Sequence, residues 1–394
     1  MVSKRISVSP FQSKDSFSVN EPEDSNQGND IKFLITLFNI GRYILVIPYD
    51  LKAEGMRKCI WRSLVFACMV AWVLYLYFSI STRFGLQLHY SQETSMMPLI
   101  LGLVPLVFKT LFLFVLFLAS IFMRKNWKKL LEALSEINRM DNFISFSSDR
   151  RLSKFYLELL LGVFSVLSMS CTQNFLWIYY KQGYLCYSTL DFVIASLYIA
   201  FNSILLSNLT RSISGRYSHL KNYLMDCVTG GITNQSMALK INIILRACKL
   251  YYNFVHQINA IFGWNIFMQA SLSTVEVVTN ITLLLYATKV PPMRWGVEMM
   301  FMALRTIFLM VVIKSCDTVE RKGQEMTKCC YVAHKIVQDK DLEMQLTFLA
   351  GCSENLAPKL SAAGFFYVNQ TFVYGFFSTI LTYVVVMTQM KMAD

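Results

Sequence analysis

Thr379, Thr382, Val386 and Gln389 stand 3, 4 and 3 residues apart, a spacing that lays all four on one face of a helix. The residues around them are apolar, so this face is a polar stripe interrupted by one β-branched side chain. The opposite positions, Ile380, Tyr383, Val384 and Met387, are larger and mostly apolar. Repeated around an axis by several copies of the chain, the hydroxyls would keep a path wet. A ring of Val386 would form a dewetting constriction, and a ring of Gln389 amides would meet hydrated cations. The same pattern has a plainer use, in which threonine hydroxyls bond back to their own helix and small residues let helices pack.

A second set of residues is unusual for its surroundings. Lys109, Glu276 and Arg305 lie deep within apolar stretches, where an ionisable group is costly and turns toward protein or water. Glu158, Asp191, Glu298 and Lys314 sit nearer the ends of such stretches and reach an interface. Gln269, Ser273, Glu276 and Asn280 are spaced 4, 3 and 4, one helical face with four polar side chains. Gln173, Trp177 and Asn202 come from neighbouring stretches at comparable depth. Together these nine residues, Lys109, Gln173, Trp177, Asn202, Gln269, Ser273, Glu276, Asn280 and Arg305, could line a pocket for a small polar or amphipathic ligand. Equally, they could form a structural ion pair and interhelical hydrogen bonds.

The elements that must position these residues follow from hydropathy. Of the 394 residues 55% are hydrophobic and only 16% charged, with a mean hydropathy of +0.42. A soluble chain carries nearer a quarter charged, so this is an all-α polytopic membrane protein. Seven stretches are long enough to cross roughly 30 Å of hydrocarbon, near 63–81, 98–123, 155–179, 187–209, 262–286, 296–315 and 363–388. Residues 31–48 are also apolar but are interrupted by Lys32, Asn39, Gly41 and Arg42, and read as a short interfacial or re-entrant element. The first thirty residues are polar and Ser-rich with no apolar core, so a disordered tail and no cleavable signal peptide are expected.

The net charge of +12 belongs to the inner leaflet and not to a nucleic-acid partner. With the amino terminus inside, 29 of the 37 basic residues fall on inner segments and 5 on outer ones. Seven spans then put the carboxyl terminus outside, the reverse of a G-protein-coupled receptor. Neither an Asn-Pro-x-x-Tyr in the seventh stretch nor an Asp-Arg-Tyr after the third is present. The inner segments are long and helical in pattern, as in 127–140 and 237–255, whereas outer loops are short. Ten cysteines carry no C-x-x-C pair, the four histidines form no metal-ligand pair, and no phosphate-binding or hydrolase motif occurs. An enzyme reading therefore has no residues to stand on, and neither a cofactor nor a metal is expected. A transporter would show repeats with matching broken helices, and none is visible.

The last thirty residues carry the most specific signal. Ser361-Ala-Ala-Gly-Phe-Phe-Tyr-Val-Asn-Gln370 leads into a helix that closes on Thr382-Tyr383, five mostly apolar residues and Gln389. This resembles the terminal signature of the insect gustatory receptors, within the superfamily of gustatory and odorant receptors. The resemblance implies a ligand-gated cation channel for a small-molecule tastant in the plasma membrane of chemosensory neurons. It implies a homo- or heterotetramer in contact with membrane lipid. Four copies of the last helix would surround the pore, with Val386 at the gate and Gln389 in its outer part. Residues 63–315 would then hold spans one to six, 316–362 a cytosolic anchor, and 363–394 the pore helix and a short outer tail, after an interfacial segment at 31–62. An odorant-receptor-like subunit needing a co-receptor is the alternative. The family tends to have Phe after the signature Gln, where this chain has Met390. Sugar-sensing members tend to carry Glu after Thr-Tyr, and Val384 here points away from a sucrose- or trehalose-type ligand.

Overall fold

The computed structural model describes residues 29–43, 97–144, 152–179, 186–230, 234–286, 292–337 and 339–393, together with Ile47 and seven positions between 63 and 74. The stretch near 63–81 is helical at those seven positions, and its remainder lies outside the described residues. The described elements are α1 (Asn29–Tyr43), α2 (Met97–Phe122), α3 (Arg124–Ile144), α4 (Leu152–Tyr179), α5 (Cys186–Thr229), α6 (Asn234–Tyr286), α7 (Pro292–Ile336), α8 (Lys340–Asn355), β1 (Ser361–Ala362), β2 (Phe366–Tyr367) and α9 (Gln370–Ala393).

Helix α1 buries Leu34, Leu37 and Phe38 in the main core and packs against α4 and α5. The expected interfacial element is thus a helix built into the bundle. Lys32, Asn39 and Arg42 did not prevent this, because Leu34, Leu37 and Phe38 fall on a common face. The apolar α2 ends at Phe122, and the chain turns by 66° through Met123 into α3. α3 is amphipathic: Trp127, Leu130, Leu134, Ile137 and Met140 recur at helical spacing and are all buried.

Three helices run far beyond the apolar stretches that define them. The fourth stretch continues to Thr229 within the 44-residue α5, and the sixth continues to Ile336 within the 45-residue α7. The fifth stretch and the patterned segment before it are one helix, the 53-residue α6, about 80 Å long. No proline interrupts α6, and Ile241, Ile244, Cys248, Tyr251, Phe254, Val255, Ile258, Ile261 and Phe262 keep a continuous buried face. α5 and α7 form the most extensive helix pair. Small polar residues let them approach, and the Ser207 and Ser315 hydroxyls meet at 2.8 Å.

The expected seventh span from residue 363 requires correction, because the helix starts only at Gln370. Residues 361–367 form a two-stranded antiparallel hairpin with Ser361 opposite Tyr367 and Ala362 opposite Phe366. Its turn places Ala363 at φ 51° and Gly364 at φ 84°, positive at both centres as the primed turns require, so a helix cannot pass through it. The Phe365 N–H donates to the Ala362 carbonyl at 3.0 Å and closes the turn.

Candidate functional site

The helix α9 leaves most of itself uncovered by its own subunit. Among its described side chains only Phe376 and Ile380 are buried, against α6 and α7, with Phe372, Val373, Val384, Met387 and Thr388 half-buried beside them. Thr379, Thr382, Val386 and Gln389 all lie on the exposed side. So does Tyr383, which the helical wheel placed opposite them. The Thr379 hydroxyl donates to the Gly375 carbonyl at 2.8 Å and that of Thr382 to Ser378 at 2.9 Å. Each hydroxyl proton is therefore spent on the helix backbone, while the oxygen still faces outward as an acceptor. Tyr374, Phe377, Leu381 and Val385 are exposed as well, so the helix presents a broad apolar surface around its polar stripe.

The start of α9 is fastened to two other helices. The side-chain amide of Asn259 on α6 donates to the Lys359 carbonyl at 2.7 Å, and its oxygen accepts from the Ser361 N–H at 3.0 Å. Four residues further along α6, Gly263 faces the hairpin, and a Cβ there would lie 2.9 Å from the Ala363 nitrogen. From α7, the Asp317 carboxylate accepts from the Gln370 N–H at 3.2 Å, satisfying one of the orphan donors at the helix start. Asn369, which opens a sequon inside the expected seventh span, instead caps α9 by accepting from the Phe372 N–H. An aromatic ladder completes the seam: Phe365 stacks on Phe267 at 4.6 Å, and Phe366 on Phe372 at 4.2 Å.

The second candidate set is held in the interior between α2, α5, α6 and α7. Lys109 Nζ is 3.3 Å from Glu276 Oε1, and the Arg305 guanidinium pairs with the same carboxylate oxygen. Arg305 also donates to the Ser196 hydroxyl at 3.1 Å. The side chains are 16% (Lys109), 7% (Glu276) and 3% (Arg305) exposed, so one buried carboxylate serves two cations from two other helices. Lower on the same face of α6, the Gln269 amide donates to the Ser203 hydroxyl at 3.1 Å, and Ser273 is buried. Asn280 is half-buried, and Asn202 turns its amide to its own helix, donating to the Tyr198 carbonyl at 2.9 Å. The Asn202 side-chain oxygen is buried with no partner among the described residues. Gln173 and Trp177 belong to α4, and their side chains lie outside the described residues.

One charged cluster was not legible beforehand. Arg216 of α5 and Asp141 of α3 form an ion pair at 2.8 Å with side chains 1% and 6% exposed. Arg216 further bonds the Ser212 carbonyl at 3.1 Å, and Tyr251 of α6 packs edge-on against Tyr217 beside it. Burial pushes the Tyr251 phenol well above its ordinary range; the Asp141 carboxylate adds to this and Arg216 opposes it. Neutral Tyr251 and charged Asp141 and Arg216 thus fix the junction of α3, α5 and α6. Nearby, burial pushes the Cys248 thiol up to about 12, which keeps it protonated and unreactive.

Comparison with known proteins gives this geometry its context. The model of a family described as 7tm chemosensory receptor matches residues 34–394. The structure of the olfactory receptor OR5 from Machilis hrabei in complex with eugenol superposes with a TM-score of 0.68 at 13% identity, covering 91% of this chain and 98% of that one. A second structure of the same receptor gives a TM-score of 0.58 at 11% identity with the same coverage. At such identities the likeness establishes the fold, a seven-helix membrane bundle. No curated protein matches the sequence significantly.

Proposed function

The chain belongs to the 7tm chemosensory receptor family, and from that premise we propose that it is a taste receptor acting as a ligand-gated, non-selective cation channel. The observation that carries this reading is α9. A helix that is apolar over 20 residues yet buries only Phe376 and Ile380 within its subunit needs other copies to cover it. A tetramer with the Thr379–Thr382–Val386–Gln389 stripe facing a shared axis supplies that cover and keeps the polar atoms wet. The exposed Val332, Ile336, Met344 and Phe348 on the tail of α7 and on α8 support an assembly surface at the opposite end. In this arrangement the amino terminus is inside, residues 316–362 form the cytosolic anchor, and α9 ends outside.

The ligand is a small molecule bound within each subunit beside Lys109, Glu276 and Arg305. A receptor of similar fold was solved with eugenol, a small amphipathic phenol, which supports a small-molecule ligand. Binding must favour the open state over the closed one to move the gate. The two helices that meet at Glu276 and Arg305 also hold the start of α9, through Asn259 and Asp317 respectively. A shift between α6 and α7 at the ligand is thereby delivered to the pore helix.

Taste is preferred over smell because the Thr382-Tyr383…Gln389 ending resembles that of gustatory receptors. An odorant-type subunit requiring a co-receptor is the second reading, supported by the likeness in fold to one olfactory receptor. Expression of this chain alone, with currents recorded against sugars, bitter compounds and volatile phenols, tests both. Current without added G protein that becomes constitutive in Val386→Ala supports the channel. Saturating solute uptake without unitary current would overturn it in favour of a transporter.

A further inference from the structure

The turn at Met123 brings a compact basic surface to one end of the bundle. Arg124, Lys125, Lys128 and Lys129 occupy four of the first six positions of α3, directly after the apolar α2. Lys125, Lys128 and Lys129 are all exposed and fall within a 100° arc of the helix, about 6 Å apart along its axis from first to last. Acidic residues do little to cancel them. Lys128 meets Glu132 only at 3.8 Å, both side chains being 63% exposed, and Glu136 is engaged by Arg246 of α6 at 3.5 Å. Lys125 and Lys129 have no acidic partner among the described residues. Immediately before the cluster, Phe122 is 72% exposed, an aromatic ring beside ammonium groups.

We propose that this surface docks anionic phospholipid headgroups of the inner leaflet, with Phe122 in the acyl boundary and Lys125, Lys128 and Lys129 on the headgroup charge. A basic cluster at the cytosolic end of a span attracts acidic lipid within a Debye length. The 66° turn after α2 tilts the start of α3 off the line of the apolar helix, and the lysines follow within seven residues of its end. The inference rests on the reading that the amino terminus is inside.

The site is mechanically connected. Trp127, between the lysines in sequence, is buried and packs edge-on against Phe38 of α1 at 5.8 Å and Phe262 of α6 at 5.6 Å. The residue after Phe262 is Gly263, which carries the hairpin at the start of α9. Lipid occupancy at α3 thus bears on the same seam as the ligand.

The test uses the full chain reconstituted in phosphatidylcholine vesicles with phosphatidylserine added, followed by gentle extraction and native mass spectrometry of retained lipid. The intact chain is expected to retain phosphatidylserine severalfold above its share in the vesicle. Lys125→Gln, Lys128→Gln and Lys129→Gln combined should bring retention down to that share, while Lys335→Gln with Lys340→Gln should leave it unchanged. Should the triple variant fail to fold, the exposed single change Lys128→Glu must reduce retention. Equal retention by intact and lysine-substituted chains overturns the proposal. A Lys128→Cys chain probed on intact cells with an impermeant maleimide separates the two levels. Labelling from outside in excess of that of the parent chain, whose own cysteines set the background, overturns the orientation, whereas no excess combined with unchanged retention overturns the lipid site alone.

Discussion

Two parts of this bundle put polar side chains into apolar helices and treat them in opposite ways. Inside, Glu276, Arg305, Arg216 and Asp141 are almost wholly buried, and each has its charge partner on another helix of the same chain. On α9, Thr379, Thr382 and Gln389 are exposed, and the threonine hydroxyls bond to their own backbone. The first group is finished within one subunit and specifies how its helices fit. The second is left uncovered by the rest of the chain and, in the proposed assembly, is completed by the same helix of other copies. Substitutions should therefore divide sharply, with stability lost at the interior pairs and conduction altered at the stripe.

The largest expected loss follows Asp141→Ala. It leaves Arg216 buried without its carboxylate and should cost about 3–5 kcal/mol, read as a lower melting temperature of the purified chain. Replacing both partners by apolar residues, Asp141→Leu with Arg216→Met, should recover most of that loss. Next comes Glu276→Ala, which removes the carboxylate shared by two cations and should cost somewhat less, since Arg305 keeps its bond to Ser196; Glu276→Gln should keep the fold and abolish ligand-evoked current. Asn259→Ala should cost about 1–2 kcal/mol through its two lost bonds to the segment before the hairpin, and should slow or weaken gating. Val386→Ala should move the melting temperature hardly at all, within about 0.5 kcal/mol, while producing leak current. A melting loss at Val386 comparable to that at Asp141 would erase the distinction between the regions.

The smallest effect is a pH dependence. Lys322, bonded at 2.8 Å, holds the Glu325 carboxyl below its ordinary range, with a further contribution from Lys221 at 3.3 Å. A depressed folded value means the stabilisation is present above the unfolded value and is lost as pH falls through the folded one. Glu325→Gln should therefore slightly flatten the acid limb of a stability–pH curve. The effect stays small because the group is well hydrated.

The interior triad was legible in the sequence for a simple reason. Ionisable residues are so costly in an apolar stretch that Lys109, Glu276 and Arg305 stand out, and one acid among two bases has an obvious placement. Asp141 and Arg216 escaped because both lie in charged segments, where nothing marks a residue as buried. The stripe on α9 was legible from spacing, but its surroundings were not. Tyr383 is exposed beside the stripe because the buried strip of α9, through Phe376 and Ile380, is narrower than half a helix. The hairpin was hidden for a local reason. Ala363 adopts a left-handed conformation that alanine seldom takes, and only Gly364 hinted at a turn. The continuity of α6 was obscured because its lower half is amphipathic and its upper half apolar, two patterns that read as separate elements.

That 53-residue helix also bears on how the chain is made. α6 leaves the ribosome before α7, α8 and α9, the elements that cover much of its surface. Until roughly the last hundred residues follow, Cys248, Ile258, Ile261 and their neighbours have no tertiary cover from these helices, in a segment too polar to retreat wholly into lipid. Nascent chains of this protein therefore pass through a long interval of stickiness during synthesis. A chain truncated near residue 290 keeps the cover that α2 and α3 give α6 but loses that of α7, α8 and α9, and should be held by quality control with one side of its central rod exposed.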